Sequence, residues 1–388
     1  MIYLDNNATT PVDPRVLQAM EPYLKEKFGN PSSASHSYGW QASMAVERAR
    51  KQVAELIHAD PKKVLWTSGA TESNNTAITG RVLFEIYRKH NKNPHLITTA
   101  VEHKAVIEVV NRCKDFGAEV TILPVNEFGQ VTAEQVKEAL KPNTCLVSII
   151  MANNELGSLN PIKEIGSLLK DYQNVSFHVD AAQACGKEPI DVEAMHINFL
   201  SLSGHKIYAP KGIGALYADH EFEPLIIGGS QERQLRSGTL NVAGIVGFGK
   251  ACEIAGAEMP EENKKLRGWR DKVIQTLRNE IPDCHLNGHP TQRLSGHVSI
   301  SFKKLPADLF ALGLSGLAVS SGSACSSSES SASYVLKATG LSDEEAKNTI
   351  RIGFGRFTEE GDVDLAIEKV LKMYKKSQTL SQQAQLNG

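Results

Sequence analysis

Cysteine is scarce in this chain of 388 residues, and its 6 cysteines are scattered. None of them form a Cys-x-x-Cys pair, so the sequence indicates neither a zinc ribbon nor a disulfide framework. Cys145, Cys185 and Cys252 lie among apolar or small residues, which is typical of buried packing. Cys325 departs from this pattern, because serine, glycine and alanine surround it.

Long apolar runs and long basic runs are also missing. No apolar stretch approaches the length of a membrane span, and the chain begins strand-like with no charged-then-apolar leader, so we expect a cytoplasmic protein. Lysine and arginine number 42 against 44 aspartate and glutamate, giving a formal net charge of -2. This balance disfavours stable binding of nucleic acid.

Predicted strands and helices alternate from about residue 64 to residue 202, and several of the strands are apolar on both faces. This pattern predicts an α/β fold with a mainly parallel sheet between helices. The character changes after about residue 255, where a charged helix and shorter strands predict a smaller α+β domain. We therefore expect a large domain over residues 15–255, and a small domain over residues 1–14 and 256–388.

Several polar side chains follow the ends of predicted strands, where functional groups gather in parallel sheets. They are Thr71, His103, Asn154, Asp180 and Lys206. Lys206 ends the stretch Ser201-Leu-Ser-Gly-His-Lys206. Lysine is costly to bury as an ammonium, so it either reaches water or serves as a nucleophilic amine.

Three of these groups have both a functional and a structural interpretation. The stretch Ser68-Gly-Ala-Thr-Glu-Ser-Asn-Asn75 places small residues before a helix, which suits an anion site or an ordinary cap. A buried Asp180 needs a cationic partner, and a protonated pyridine nitrogen would serve, although a capping role is the alternative. His103 is either a proton carrier near neutral pH or a structural histidine.

The stretch around Cys325, about residues 320–333, is low in bulky residues. Such a segment buries too little surface to be pinned down, so we expect a mobile loop. A thiol on a mobile loop suits a travelling nucleophile, and the alternative is an incidental linker cysteine.

Taken in order, the motifs resemble those of the NifS/IscS-like cysteine desulfurases, a group of fold-type I pyridoxal-phosphate enzymes in the class V aminotransferase family. The matching stretches are Tyr3-Leu-Asp-Asn-Asn-Ala-Thr-Thr-Pro11, Phe28-Gly-Asn-Pro-Ser32, Ser68 to Asn75, Glu102-His103-Lys104, Asn153-Asn-Glu-Leu-Gly157, Val179-Asp-Ala-Ala-Gln183, Ser201 to Lys206, Arg236-Ser-Gly-Thr239, Ser321-Gly-Ser-Ala-Cys325 and Gly355-Arg356.

The resemblance implies a role for each matching site residue. Lys206 would hold pyridoxal 5'-phosphate as a Schiff base, Asp180 would pair with its ring nitrogen, and Gln183 would contact its ring hydroxyl. His103 would stack on the ring and carry protons. The phosphate would be bound by Ala70, Thr71, Ser203 and His205, with Thr239 reaching it from the other subunit of a homodimer. Asn154 and Arg356 would hold the substrate carboxylate.

The implied reaction converts L-cysteine to L-alanine and leaves a persulfide on Cys325. No intrinsic metal is implied, although the persulfide would contact an iron–sulfur cluster during delivery. The implied acceptors are an iron–sulfur scaffold and a tRNA-thiolation relay. The segment after Cys325 and the short C-terminus depart from close relatives. The alternatives are a selenocysteine lyase or aminotransferase on the same fold, and a non-catalytic scaffold.

Overall fold

The computed structural model describes residues 1–303, 316–321 and 332–386. Its largest element is a seven-stranded sheet with the strand order β2-β8-β7-β6-β5-β3-β4. The bounds of these strands are β2 Val64–Thr67, β3 His95–Thr99, β4 Glu119–Leu123, β5 Thr144–Ile150, β6 Ser176–Asp180, β7 Phe199–Ser203 and β8 Gly214–Ala218.

The sheet is parallel from β7 through β4, and β8 runs antiparallel to both β2 and β7. This confirms the predicted α/β fold with a mainly parallel sheet. The sequence analysis missed β8, because its five residues begin with a glycine, which is uncommon in strands.

Helices cover the sheet on both faces. The helices up to the end of the sheet region are α1 Pro14–Lys25, α2 Ser37–Leu56, α3 Ala70–Tyr87, α4 Lys104–Cys113, α5 Ala133–Ala139, α6 Ile162–Leu169 and α7 Val242–Glu280. Neighbouring strand residues alternate between the two faces: Trp66 and Val147 pack on one face of the sheet, and Leu65 and Leu146 pack on the other.

A second core lies outside this sheet. It packs a four-stranded sheet of order β12-β13-β10-β9 with the two-stranded pair β1 and β11. The strand bounds are β1 Ile2–Tyr3, β9 Cys284–Leu286, β10 His297–Phe302, β11 Leu317–Ala318, β12 Ser320–Ser321 and β13 Thr349–Gly353. The remaining helices are α8 Tyr334–Ala338, α9 Asp343–Lys347 and α10 Glu360–Leu386.

The long helix α7 runs from one core into the other. Phe248 and Cys252 pack in the core of the large sheet, whereas Leu266 and Val273 pack in the second core. The domain boundary expected near residue 255 therefore falls inside this helix, and we propose the two cores as the two domains. The sequence predicts the charged helix only over residues 258–280, because small residues before it weaken the helical pattern.

The C-terminal helix α10 extends beyond residue 375, where the sequence predicts the last helix to end. Residues from 377 onward were expected to fray, but α10 continues to Leu386, and Ser377 is buried with its hydroxyl donating to the Tyr374 carbonyl. The sequence predicts a short helix through Lys337 that is capped by Ser333 or by the residues just before it, and Ser333 is the observed cap of α8. The sequence also predicts a short helix over residues 306–314. This segment and most of the loop carrying Cys325 lie outside the described residues. Among the described helices, none is long and apolar enough to cross a membrane.

Candidate active site

A pocket of about 830 Å³ opens beyond the carboxyl ends of the parallel strands, next to the N-terminal segment of the chain. It gathers most of the residues that the sequence singled out: Ala70, Thr71, His103, Asn154, Asp180, Gln183, Ser203, His205 and Lys206. These residues are far apart in sequence, and the strand ends bring them together as expected for a parallel sheet.

Lys206 ends the short 3₁₀ turn Gly204–Lys206 that follows β7. Its Nζ donates to the carbonyl oxygens of Asn7 and Ala8, both at 2.7 Å. Burial, together with the positive charges of Lys187 and Arg351, lowers the pKa of Lys206 to about 7. Much of this amine is therefore neutral near pH 7, as a nucleophile must be.

Asp180 is the last residue of β6 and is 3% exposed. Its carboxylate accepts hydrogen bonds from Asn74 Nδ2 at 2.8 Å and from the Ala182 N–H at 3.0 Å. In the described part of the chain it forms no ion pair, so a buried negative charge lacks a counter-charge. A protonated pyridine nitrogen would supply that charge.

The start of α3 lies at one end of the pocket and is a candidate anion site. Gly69 precedes the helix with φ of +152° and gives no side-chain cap, and Ala70 and Thr71 of the first turn line the pocket. The Glu72 carboxylate accepts the Ser68 N–H at 2.8 Å on the same turn. A Cβ on Gly214 would lie 2.6 Å from Gly69 Cα, so β8 packs directly against this turn.

His205 borders the same end of the pocket. Burial and the charge of Lys206 lower its pKa to about 4, and its Nδ1 lies 3.1 Å from the Thr9 hydroxyl. The ring is therefore neutral at pH 7. It can offer a phosphate an N–H hydrogen bond but no positive charge.

His103 caps α4, with Nδ1 accepting the Ala105 N–H at 3.1 Å. This leaves Nε2 to carry a proton. Burial lowers the pKa of His103, and the nearby Asp180 opposes that shift. The preceding residue Glu102 fixes the loop between β3 and α4, because its Oε1 accepts hydrogen bonds from the Thr99 hydroxyl at 2.7 Å and from the Ile150 N–H at 2.9 Å.

Arg351, which the sequence analysis did not single out, also lines the pocket. It is 6% exposed, and its guanidinium donates to Asp5 Oδ1 at 2.8 Å, to Ser320 Oγ at 2.7 Å and to the Asn154 carbonyl at 3.0 Å. The available signal was its place in β13, where it alternates with Ile350 and Ile352 of the second core.

A family model described as aminotransferase class-V matches residues 2–365. The chain belongs to this family. Human cysteine desulfurase is 45% identical over 384 residues, covering 98% of this chain and 83% of its own length. The cysteine desulfurase IscS of Rickettsia rickettsii (strain Iowa) is 46% identical over 384 residues, covering 98% of this chain and 92% of its own.

Solved structures agree with this assignment. A NifS-like protein superposes with a TM-score of 0.88 at 36% identity, covering 96% of this chain and 99% of its own. A structure described as SspA in complex with cysteine superposes with a TM-score of 0.80 at 38% identity, covering 91% of this chain and 99% of its own. The predicted family and the predicted fold-type I architecture are confirmed.

Arg356 of the motif Gly355-Arg356 does not line the pocket as described, so its role in holding a substrate carboxylate stays a prediction. Its guanidinium donates to Asp13 Oδ2 at 2.8 Å and to Glu262 Oε2 at 3.1 Å. These carboxylates already neutralise Arg356, and it lines a separate cavity of about 30 Å³. Arg356 joins the start of α1 to the middle of α7.

Two further predicted residues are not part of the pocket described above. Thr239 is exposed, and it was expected to act in the partner subunit's site, so this chain alone does not test its role. Cys325 lies outside the described residues. β12 ends four residues before it, and its Ser320 lines the pocket.

Proposed function

We propose that this chain is a cysteine desulfurase that uses pyridoxal 5'-phosphate to convert L-cysteine to L-alanine. One observation carries the proposal. A single pocket combines the amine of Lys206, the uncompensated carboxylate of Asp180 and the uncapped start of α3. These groups match the aldehyde, ring nitrogen and phosphate of this cofactor, and the sequence relatives named above are cysteine desulfurases.

When bound, the cofactor supplies an aldehyde for amines and a ring that accepts the electron pair left at the substrate α-carbon. Lys206 would attach it covalently and would then remove the α-proton with its free amine. Asp180 would keep the proton on the ring nitrogen. Gln183 would donate to the ring hydroxyl, and His103 would exchange protons through Nε2.

Arg351, together with Asn154, would hold the substrate carboxylate, replacing Arg356 in that role. Its side chain lines the pocket, and a guanidinium fork binds carboxylates in two parallel hydrogen bonds. The contact from Arg351 to the Asn154 carbonyl fixes these two residues relative to each other. The structure recorded for SspA with cysteine supports an amino-acid substrate in a related pocket.

The sulfur would leave on Cys325. Its thiolate would attack the substrate sulfur, and the carbon–sulfur bond would break with its electron pair going to the β-carbon, which would take up a proton. Lys206 would return a proton to the α-carbon to give alanine. The products are alanine and a persulfide on Cys325. A selenocysteine lyase would prefer selenocysteine, and an aminotransferase would release a keto acid and have no use for this thiol.

Changing Cys325 to serine is expected to reduce alanine formation from cysteine by at least about 10³-fold, because the sulfur loses its acceptor. Visible absorbance of the bound cofactor is expected to remain. Labelled cysteine followed by mass spectrometry measures the persulfide. Cys284→Ser is the matched control, because Cys284 is the one cysteine among the described residues that is not buried, and it should keep full activity. Alanine production by the Cys325 variant at the wild-type rate would contradict this role.

The homodimer is proposed from exposed apolar side chains near α1 and α2. Phe28, Trp40 and Met44 are 69%, 55% and 69% exposed, more than an isolated subunit usually tolerates in one region. We expect light scattering to give twice the chain mass of 42.3 kDa. A mass equal to one chain would remove Thr239 from the proposed phosphate site.

The persulfide would pass to sulfur-acceptor proteins. We propose that these serve iron–sulfur cluster assembly and tRNA thiolation, in the cytoplasm. Incubating the persulfide form with candidate acceptors and following the label would identify which of them remove it.

A further inference from the structure

Lys187 is a lysine beside the pocket that the proposed function leaves unused. It follows the turn after β6, and its carbonyl oxygen accepts Asn263 Nδ2 of α7 at 2.6 Å. Its ammonium forms no ion pair with any carboxylate in the described ranges. Burial lowers the pKa of Lys187 to about 8. Burying an ammonium without an ion-pair partner costs free energy, which indicates a functional role for its charge.

A chain of hydrogen bonds connects Lys187 to Lys206. Lys187 Nζ lies 3.4 Å from Gln183 Oε1, which also accepts Asn7 Nδ2 at 3.2 Å. Gln183 Nε2 donates to the Asn7 carbonyl at 2.8 Å, and the same carbonyl accepts Lys206 Nζ at 2.7 Å. Gln183 and Asn7 are 4% and 5% exposed, so water does not readily replace these contacts.

This chain of contacts sets the orientation of the Gln183 carboxamide. An ammonium has only N–H donors, so it requires the carboxamide oxygen on its side. The amide nitrogen then faces Asn7 and the pocket, which Gln183 also lines. A rotated carboxamide would place an NH₂ group against Lys187 and leave the Asn7 carbonyl facing an oxygen.

Lys187 also places its positive charge near the amine of Lys206. Lys206 lines both the main pocket and the 30 Å³ cavity, and Lys187 lines that cavity as well. A like charge at this place favours the neutral form of the amine. The charged and titratable groups near Lys206 are Asp5, Asp180, Lys187, Arg351, His103 and His205.

We propose that Lys187 is a positioning residue for Lys206, which orients the Gln183 carboxamide and places a positive charge behind the amine. Only the use of that amine on a cofactor rests on the proposed function. The titration of the amine does not depend on it.

The test compares wild type with Lys187→Met in the full-length protein. With the cofactor removed, competitive acetylation and peptide mass spectrometry give the pH midpoint at which Lys206 becomes reactive. Loss of a like charge favours the ammonium, so the midpoint should rise by about one pH unit. With the cofactor bound, the midpoint of its pH-dependent visible absorbance should move in the same direction.

Two variants serve as controls. Lys187→Arg keeps a cationic donor and should keep the wild-type midpoint. Lys264→Met removes an exposed lysine of α7 next to Asn263 and should also leave it unchanged. If Lys187→Met does not fold, Lys187→Gln keeps a donor without the charge and should show the same rise.

A midpoint within about 0.2 pH units of wild type in the uncharged variant would overturn the proposal. An equal rise in Lys187→Arg would also overturn it, because that variant keeps the charge. Failure of wild type to bind pyridoxal phosphate would instead refute the proposed function, and the acetylation result would still stand.

Discussion

Lys206→Ala is expected to lower the rate of alanine formation from cysteine by at least about 10⁴-fold. This change removes the amine that holds the cofactor and also the base that would take the α-proton. The low pKa of about 7 that burial gives Lys206 is what suits the amine to both tasks. Borohydride reduction followed by mass spectrometry should attach the cofactor to wild type and leave the variant unmodified.

Lys170→Ala is the control for this experiment, because Lys170 is exposed at the end of α6, away from the pocket. It should keep both activity and the covalent cofactor. Covalent attachment at another lysine in the Lys206 variant, with activity retained, would contradict the assignment of Lys206.

Arg351→Gln and Arg356→Gln form a matched pair with opposite expected results. Arg351→Gln should reduce kcat/KM for cysteine by about 100-fold, mainly through KM, because charge-assisted hydrogen bonds to a carboxylate contribute about 1.5–3 kcal/mol. Rates with cysteamine, which lacks the carboxylate, should change far less. Steady-state kinetics with both substrates separates binding of the carboxylate from a general loss of structure.

Arg356→Gln should instead act on stability. Its guanidinium is 10% exposed and holds Asp13 and Glu262, and Arg15 remains to pair with Asp13. Removing one partner of such a buried cluster costs about 3 kcal/mol, which lowers Tm by several degrees. KM should stay near the wild-type value. A large rise in KM for Arg356→Gln with an unchanged Tm would restore the role first expected from the sequence.

The contrast between these two arginines shows how far the sequence could lead. Strand ends were predictable because apolar periods and turn residues are local, so Asp180 and Lys206 were placed correctly. Arg351 lies within the apolar stretch of β13 and Arg356 follows it, and neither local pattern shows which arginine lines the pocket. What separates them is their place in the fold: Arg351 pairs with Asp5 and lines the pocket, whereas Arg356 pairs with Asp13 and Glu262 and does not line it.

The same limit explains the misjudged helix boundaries. Residues 242–256 are rich in glycine and alanine, which weakens a helical signal, yet α7 includes them because it packs closely along α2. Gly249 shows how close the helices come, since an added Cβ would lie 2.6 Å from Ala49 Cα. Tertiary contact here outweighs local propensity.

The N-terminal segment has a consequence for the order in which the molecule is made. Ile2 pairs with Leu317, Asp5 bridges to Gly353 and binds Arg351, and the carbonyls of Asn7 and Ala8 hold Lys206. These N-terminal residues therefore leave the ribosome long before their partners are translated. Since contacts of such high sequence separation form slowly, the pocket is assembled among the last steps of folding, after the seven-stranded sheet has its strands in place.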